Sequence, residues 1–203
     1  MPIRAEDDDD DDKSGTPRTE LPMAPGPVQE TLFKSRTVLV FGEVDMRMAE
    51  RVTAQLLALA SKGDDDIRVF INSPGGHVES GDTIYDVMRF CGPKVKAIGT
   101  GWVASSGATI FLGAEKENRF CLPNTRFLLH QPTGGYRGQA SDIAIEAEEI
   151  VKMRKRVNNI IAERTGQTYD KVVADTDRNF WMSAEQAVAY GLAGKIISRA
   201  DEV

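Results

Sequence analysis

Residues 67–105 read IRVFINSPGGHVESGDTIYDVMRFCGPKVKAIGTGWVAS. IRVFIN has the β-branched and aromatic content of a strand, and it stops at SPGG, where consecutive glycines permit positive φ and close backbone approach. HVESGDTIYDVMRFC carries Val78, Ile84, Val87 and Met88 on helical spacing. VKAIGT (95–100) is a second strand, and ASSGATIFLGA reads as a short buried helix. Strand, turn, helix, strand, helix is the grammar of an α/β domain with helices packed on a sheet.

Working outward, the same alternation continues. TVLVFG from Thr37 is a strand entering a Gly turn, and 48–61 is a helix with Val52, Leu56 and Leu59 on one side. RFCLP and RFLLH are two short strands separated by a Pro-Asn turn. After the polar, Gly-rich QPTGGYRGQAS comes a long helix over roughly 141–164, with Ile143, Ile145, Ile150, Val151 and Ile160 apolar and dense charge elsewhere. A helix that long is expected to project beyond one small core and pack against a neighbouring subunit. Two short helices and a terminal strand, KIIS, close the chain. Residues 1–30 read as a flexible acidic tail and 31–203 as one domain. The tail combines like charges with Pro, Gly, Ser and Thr, and buries too little apolar area to offset its ordering entropy.

Composition limits the functional classes. The 203 residues are 41% hydrophobic and 28% charged, with a net charge of -6. Glu6 and the six aspartates 7–12 supply much of that charge, and such a run is better read as solvated than as a cation trap. No basic face invites nucleic acid. Cys91 and Cys121 are the only cysteines, read as free thiols, and no Cys/His cluster has metal-ligand spacing. The acidic start lacks an apolar signal core, and no apolar run approaches the roughly 20 residues of a membrane span. A cytoplasmic protein without cofactors is expected.

Any histidine-based chemistry must use His77 or His130. His130 ends the strand RFLLH, where a side chain can face a crevice. His77 follows Gly75-Gly76 and reads on its own as a loop histidine. Ser105 and Ser106 sit among small residues where a strand runs into a helix. That arrangement can expose a nucleophilic hydroxyl and offer unpaired N–H groups to an oxyanion, although GTGWVASSGAT is not the usual G-x-S-x-G and also fits a closely packed helix start. NSPGG lacks the Lys and Ser/Thr of a phosphate loop and the spacing of a dinucleotide fingerprint.

Taken together, NSPGG, GWVASSGA, LLHQP and DTDRNFWMSAEQAVAYGL, in that order, resemble the ClpP family of self-compartmentalised serine peptidases over roughly residues 32–198. The segment before residue 30 does not match the family's axial-loop segment. The resemblance implies a ClpP/crotonase-type ββα superhelix with a protruding handle helix, stacked as two seven-membered rings. It implies Ser105 as nucleophile, His130 as general base, and Gly76 and Ser106 as oxyanion donors. The segments Gly76-His77-Val78 and the part after Pro132 would bind extended substrate. Asp177 and Arg178 match an ion pair that senses the ring interface. The implied partners are polypeptide substrates, an ATP-fuelled Clp-type AAA+ unfoldase and further ring subunits, with a paralogous subunit in a mixed ring as the alternative. The related crotonase chemistry on acyl-CoA thioesters would not need the Ser105 and His130 pair.

The family's triad acid falls on Asn179. An amide oxygen can orient an imidazole, but it cannot offset imidazolium charge. In a serine protease triad, Asp to Asn costs about 10⁴ in turnover. Three expectations follow. The subunit is weakly active until a partner ring fixes its geometry, or it is a dormant structural or regulatory member of mixed rings, or it is competent with Asn in a rearranged site. Asp175 or Asp177 would be the carboxylates to substitute if the local turn shifted.

Overall fold

The computed structural model describes residues 26–135 and 137–203, so residues 1–25 of the expected tail lie outside the described residues. Within them the order is α1 (Gly26–Lys34), β1 (Thr37–Phe41), α2 (Met46–Ala60), β2 (Ile67–Ser73), α3 (Val78–Phe90), β3 (Val95–Ala104), α4 (Ser106–Phe111), β4 (Arg119–Cys121), β5 (Arg126–Leu129), α5 (Ala140–Thr165), α6 (Tyr169–Asp175), β6 (Phe180–Met182), α7 (Ala184–Tyr190) and β7 (Lys195–Ile196). Order therefore begins before Thr37. Pro27 follows Gly26 at the first turn of α1, where the missing N–H of proline costs nothing.

Strands β1, β2, β3, β4 and β7 form a parallel sheet in that order. Along β2, Ile67, Val69, Ile71 and Ser73 are buried on the face that carries the helices. Burying each such aliphatic side chain contributes on the order of 1.5–3 kcal/mol. Helix α2 offers Met48, Ala49, Val52, Leu56 and Leu59 to this core. Its first turn is fixed by Asp45, whose side chain accepts from the Met48 N–H at 2.7 Å. On the other face lies a smaller cluster of Ile98, Phe120 and Ile197, flanked by Phe70, Leu122 and Val203.

Strand β3 decides the architecture. It was expected to stop at Thr100 but runs to Ala104, because Gly101 takes φ 58° and lets the strand bulge instead of ending. The Asn72 side chain accepts from the Trp102 N–H at 3.1 Å and fills the bulge. Before the bulge, 97–99 pair with β4; after it, 102–104 pair with β5, both in parallel. The Pro-Asn turn thus moves the chain along the same neighbour rather than reversing it. The Gly99 carbonyl anchors this jog, accepting from Leu122 N–H at 3.0 Å and Thr125 Oγ1 at 2.9 Å. The sheet branches here, with β6 antiparallel to β5. This is the ββα superhelix that the motifs implied.

Helix α5 is 26 residues, about 39 Å at 1.5 Å per residue. Only Val157, Asn158, Ile161 and Thr165 on it are buried, and 140–149 are exposed. Its N-terminal half therefore protrudes as a handle. Two arginines secure its base: Arg119, buried, donates to Leu192 O and Arg164 O, and Arg164 donates to Leu112 O and Ala114 O. Burial and the neighbouring Arg164 push the Arg119 guanidinium down to about 10. No helix among the described residues is long and apolar enough to cross a membrane.

Both cysteines are free and buried, and burial pushes the Cys121 thiol up to about 11 and raises Cys91 as well. At pH 8 about one Cys121 in a thousand would be thiolate. A chromogenic disulfide reagent at pH 8 should therefore leave the native protein nearly unreacted and titrate two thiols on unfolding. Prompt reaction of either thiol in the native protein would contradict this packing.

Candidate active site

The end of β2 and the turn from β3 into α4 meet at van der Waals distance, and this contact builds the site. A Cβ on Gly75 would lie 2.5 Å from Ser105 Cβ and 2.9 Å from Ala104 O, so no other residue fits there. Gly75 and Gly76 take φ 96° and 148°, conformations that glycine alone adopts freely. One layer deeper, a Cβ on Gly81 of α3 would lie 2.8 Å from Ser106 Cβ. The small residues noted around Ser105 are thus the condition for two turns and two helices to converge.

Ser105 itself takes φ 54° and ψ -124°, a positive-φ conformation shared among the described non-glycine residues only with Arg36. Its N–H donates to Leu128 O at 2.9 Å and its carbonyl accepts from Ala108 N–H at 2.9 Å, so the backbone is held from both sides. Its side chain does not cap α4. A half-buried hydroxyl on a strained strand-to-helix turn is a nucleophile elbow in geometry, though its sequence lacks the G-x-S-x-G pattern.

His130 lies just past β5 and shares a cavity of about 20 Å³ with Ser105, Ser106, Leu129, Val157 and Ile161. That is room for about one water. Asn179 is placed by register. Leu129 pairs with Phe180 in the antiparallel β5–β6 ribbon, so the next step along it sets His130 opposite Asn179. Gln131 fixes that end of the ribbon: its N–H donates to Thr176 O at 2.7 Å and its Nε2 to Asp177 O at 2.8 Å. Asn179 is exposed, and among the described residues no hydrogen bond joins Ser105 Oγ, the His130 ring and the Asn179 amide. The ring and hydroxyl are juxtaposed but not engaged in this single chain.

The backbone donors are sorted around the serine. Gly75 N–H goes to Ser73 Oγ and His77 N–H to Val44 O. The N–H groups of Gly76 and Ser106 donate to no acceptor among the described residues. A Cβ on Gly76 would overlap the Val44 carbonyl, so this residue too is confined to glycine. Unpaired backbone N–H groups are what an oxyanion requires.

Both aspartates near Asn179 are held by other partners. Asp175 accepts from Tyr190 Oη at 2.9 Å and from Lys171 Nζ at 2.7 Å. Burial and that carboxylate raise the Tyr190 phenol well above its ordinary value. Asp177 pairs with Arg154 of the same chain at 3.4 Å, and Arg178 is exposed. His77 caps α3 instead, with Nδ1 2.9 Å from Ser80 Oγ and Nε2 3.3 Å from Glu79. Among the described residues no group of His, Cys, Asp and Glu side chains could hold a metal ion. The sequence reading missed Gln131, Asn158 and the α5 arginines. Asn158, buried with its Oδ1 accepting from Thr176 Oγ1 at 3.2 Å, is signalled only as a polar residue between apolar positions.

Known proteins are similar to this chain. The family model described as Clp protease matches residues 26–200. The ATP-dependent Clp protease proteolytic subunit 3 of Rhizobium meliloti is 55% identical over 97% of this chain and 98% of its own length. Subunit 2 of Pseudomonas aeruginosa is 57% identical over 87% and 88%. Among solved structures, ClpP1 from Listeria monocytogenes is 52% identical with a TM-score of 0.78, and an asparagine-to-aspartate mutant of it is 53% identical with a TM-score of 0.81. Each covers 86% of this chain and 98% of the solved one.

The contact between Gly75 and Ser105 can be tested by adding one methyl group. Gly75→Ala should lower stability by about 2–3 kcal/mol in urea unfolding and abolish turnover. A variant with parental stability and turnover would show that the two turns do not meet as described.

Proposed function

The chain belongs to the Clp protease family, and from that premise we propose that it is a serine endopeptidase subunit whose Ser105 and His130 perform acyl transfer to water while Asn179 orients the imidazole without neutralising it. The observation that carries this reading is the left-handed backbone of Ser105, which turns its hydroxyl into the cavity that His130 also lines. Ser105 Oγ attacks a peptide carbonyl, forming the C–O bond as His130 takes the hydroxyl proton. The oxyanion lies between Gly76 N–H and Ser106 N–H. His130 returns the proton to the leaving amine as the C–N bond breaks. Water then attacks the acyl-enzyme with His130 again as base, which releases the acid and restores Ser105.

Substrate reaches such a site as an extended strand beside Gly76-His77-Val78 and the segment after Pro132. The protruding half of α5 exposes Ile143, Ile145 and Val151 at 44%, 59% and 66%, an apolar surface that suits stacking of one ring on another. Asp177 and Arg178 stand at the base of that contact as its sensor. Two stacked seven-membered rings in the cytoplasm would enclose the sites. A Clp-type AAA+ unfoldase would then deliver the polypeptide and bind the nucleotide, for which NSPGG offers no site.

Turnover of the isolated subunit is weak, because Asn179 leaves the developing imidazolium unpaired and the triad hydrogen bonds are not made in one chain. A dormant role beside an active paralogue is the second reading. It is favoured by relatives whose names number them subunit 2 and subunit 3. Hydrolysis of a small p-nitrophenyl ester separates the two. The parent should show slow turnover that Ser105→Ala removes. Asn179→Asp should raise kcat by at least tenfold, with about 10⁴ as the ceiling. Turnover that survives Ser105→Ala would overturn the serine mechanism, and no response to Asn179→Asp would overturn the role given to the amide.

A further inference from the structure

We infer that the ion pair between Asp82 of α3 and Arg156 of α5 is a positioning element of the active site, setting one oxyanion donor against the other. The inference rests on the reading of Ser105 as the nucleophile. Helix α3 begins two residues after Gly76, and its Gly81 packs directly against Ser106. One helix thus follows the first free N–H group and touches the residue that bears the second. Asp82 is the next residue along α3. Its Oδ2 accepts from Arg156 Nη2 at 2.5 Å. Arg156 precedes Val157, which lines the cavity of Ser105 and His130.

The same stretch of α5 holds the opposite wall. Arg154 pairs with Asp177, and Asn158 Oδ1 accepts from Thr176 Oγ1, in the loop that leads to Asn179. Residues 154–158 therefore tie the handle to the oxyanion side through Asp82 and to the orienting side through Thr176 and Asp177. A movement of α5 is felt on both.

Asp82 has little alternative to Arg156. Its side chain is 17% exposed, and its Oδ1 is buried with no hydrogen-bond partner among the described residues. Burial raises its carboxyl above the ordinary carboxylate range against the pull of Arg156, and Glu79 and Asp86 on its own helix add repulsion. Arg156 is 47% exposed and Asp82 only 17%, so removing Arg156 leaves the less exposed charge without its partner. Without Arg156, Asp82 gains by turning toward water, which draws α3 away from Ser106.

A double-mutant cycle tests this, with kcat and KM for the ester and amide hydrogen exchange as readouts. Arg156→Met should lower kcat about tenfold with KM unchanged within twofold, Arg156→Lys should retain most of the rate, and Asp82→Asn should cost about threefold. Adding Asp82→Asn to Arg156→Met should recover rate, because the stranded charge is gone. Amides of 78–84 should exchange at least tenfold faster in Arg156→Met, while those of α7 keep the parental rate. Parental kcat in Arg156→Met, or losses that simply multiply in the double variant, would overturn the inference. If the parent shows no turnover above Ser105→Ala, the proposed function fails. Exchange at 78–84 then decides the ion pair alone, and an unchanged rate there would overturn it.

Discussion

The site depends on the absence of a side chain at Gly75. Two turns, one closing β2 and one joining β3 to α4, approach until a single Cβ would collide with Ser105 and with the Ala104 carbonyl. That approach fixes Ser105 at positive φ, which turns its hydroxyl outward and leaves Ser106 N–H at a helix start with no internal partner. Strain at one serine is sustained because sheet, turn and helix hold it from three sides, the usual condition under which an unfavourable backbone persists.

His130 and Asn179 are set opposite each other by strand register rather than by strain. A three-residue antiparallel strand is enough, because Gln131 anchors the end of the ribbon with both its backbone and its side chain. What the ribbon delivers is an amide. A carboxylate at 4 Å from an imidazolium contributes about 4 kcal/mol at an effective dielectric of 20. That is on the order of 10³ in rate, about tenfold short of the loss of about 10⁴ when a triad aspartate becomes asparagine. Asp175 and Asp177 do not recover it, being held by Tyr190 and Lys171 and by Arg154.

Most of the architecture was legible in the sequence because its helices and longer strands have clear periodicity. Val52, Leu56 and Leu59 marked α2, and IRVFIN marked β2 with its turn. The long charged helix announced a handle. Two elements and the end of a third were hidden for physical reasons. Helix α1 buries no residue and starts in a Gly-Pro context that reads as tail. Strand β6 has three residues, too few for a period to appear. Strand β3 passes through Gly101, which signals an end unless the Asn72 side chain is known to fill the bulge. At the site, Ser105, His130, Asn179, Gly76 and Ser106 were named through motif resemblance. The backbone angle of Ser105, the clamp of Gln131 and the paired arginines of α5 are properties of convergence in space, which no linear spacing carries.

The central claim is that the Ser105 and His130 site is assembled in this chain despite Asn179. Intact-mass spectrometry after incubation with a fluorophosphonate, with the protein free of any partner, addresses it most directly. A single adduct per chain, mapped to Ser105 and absent after denaturation before treatment, is the result this account predicts. Folded protein that takes no adduct, or takes it at another residue, would contradict the account.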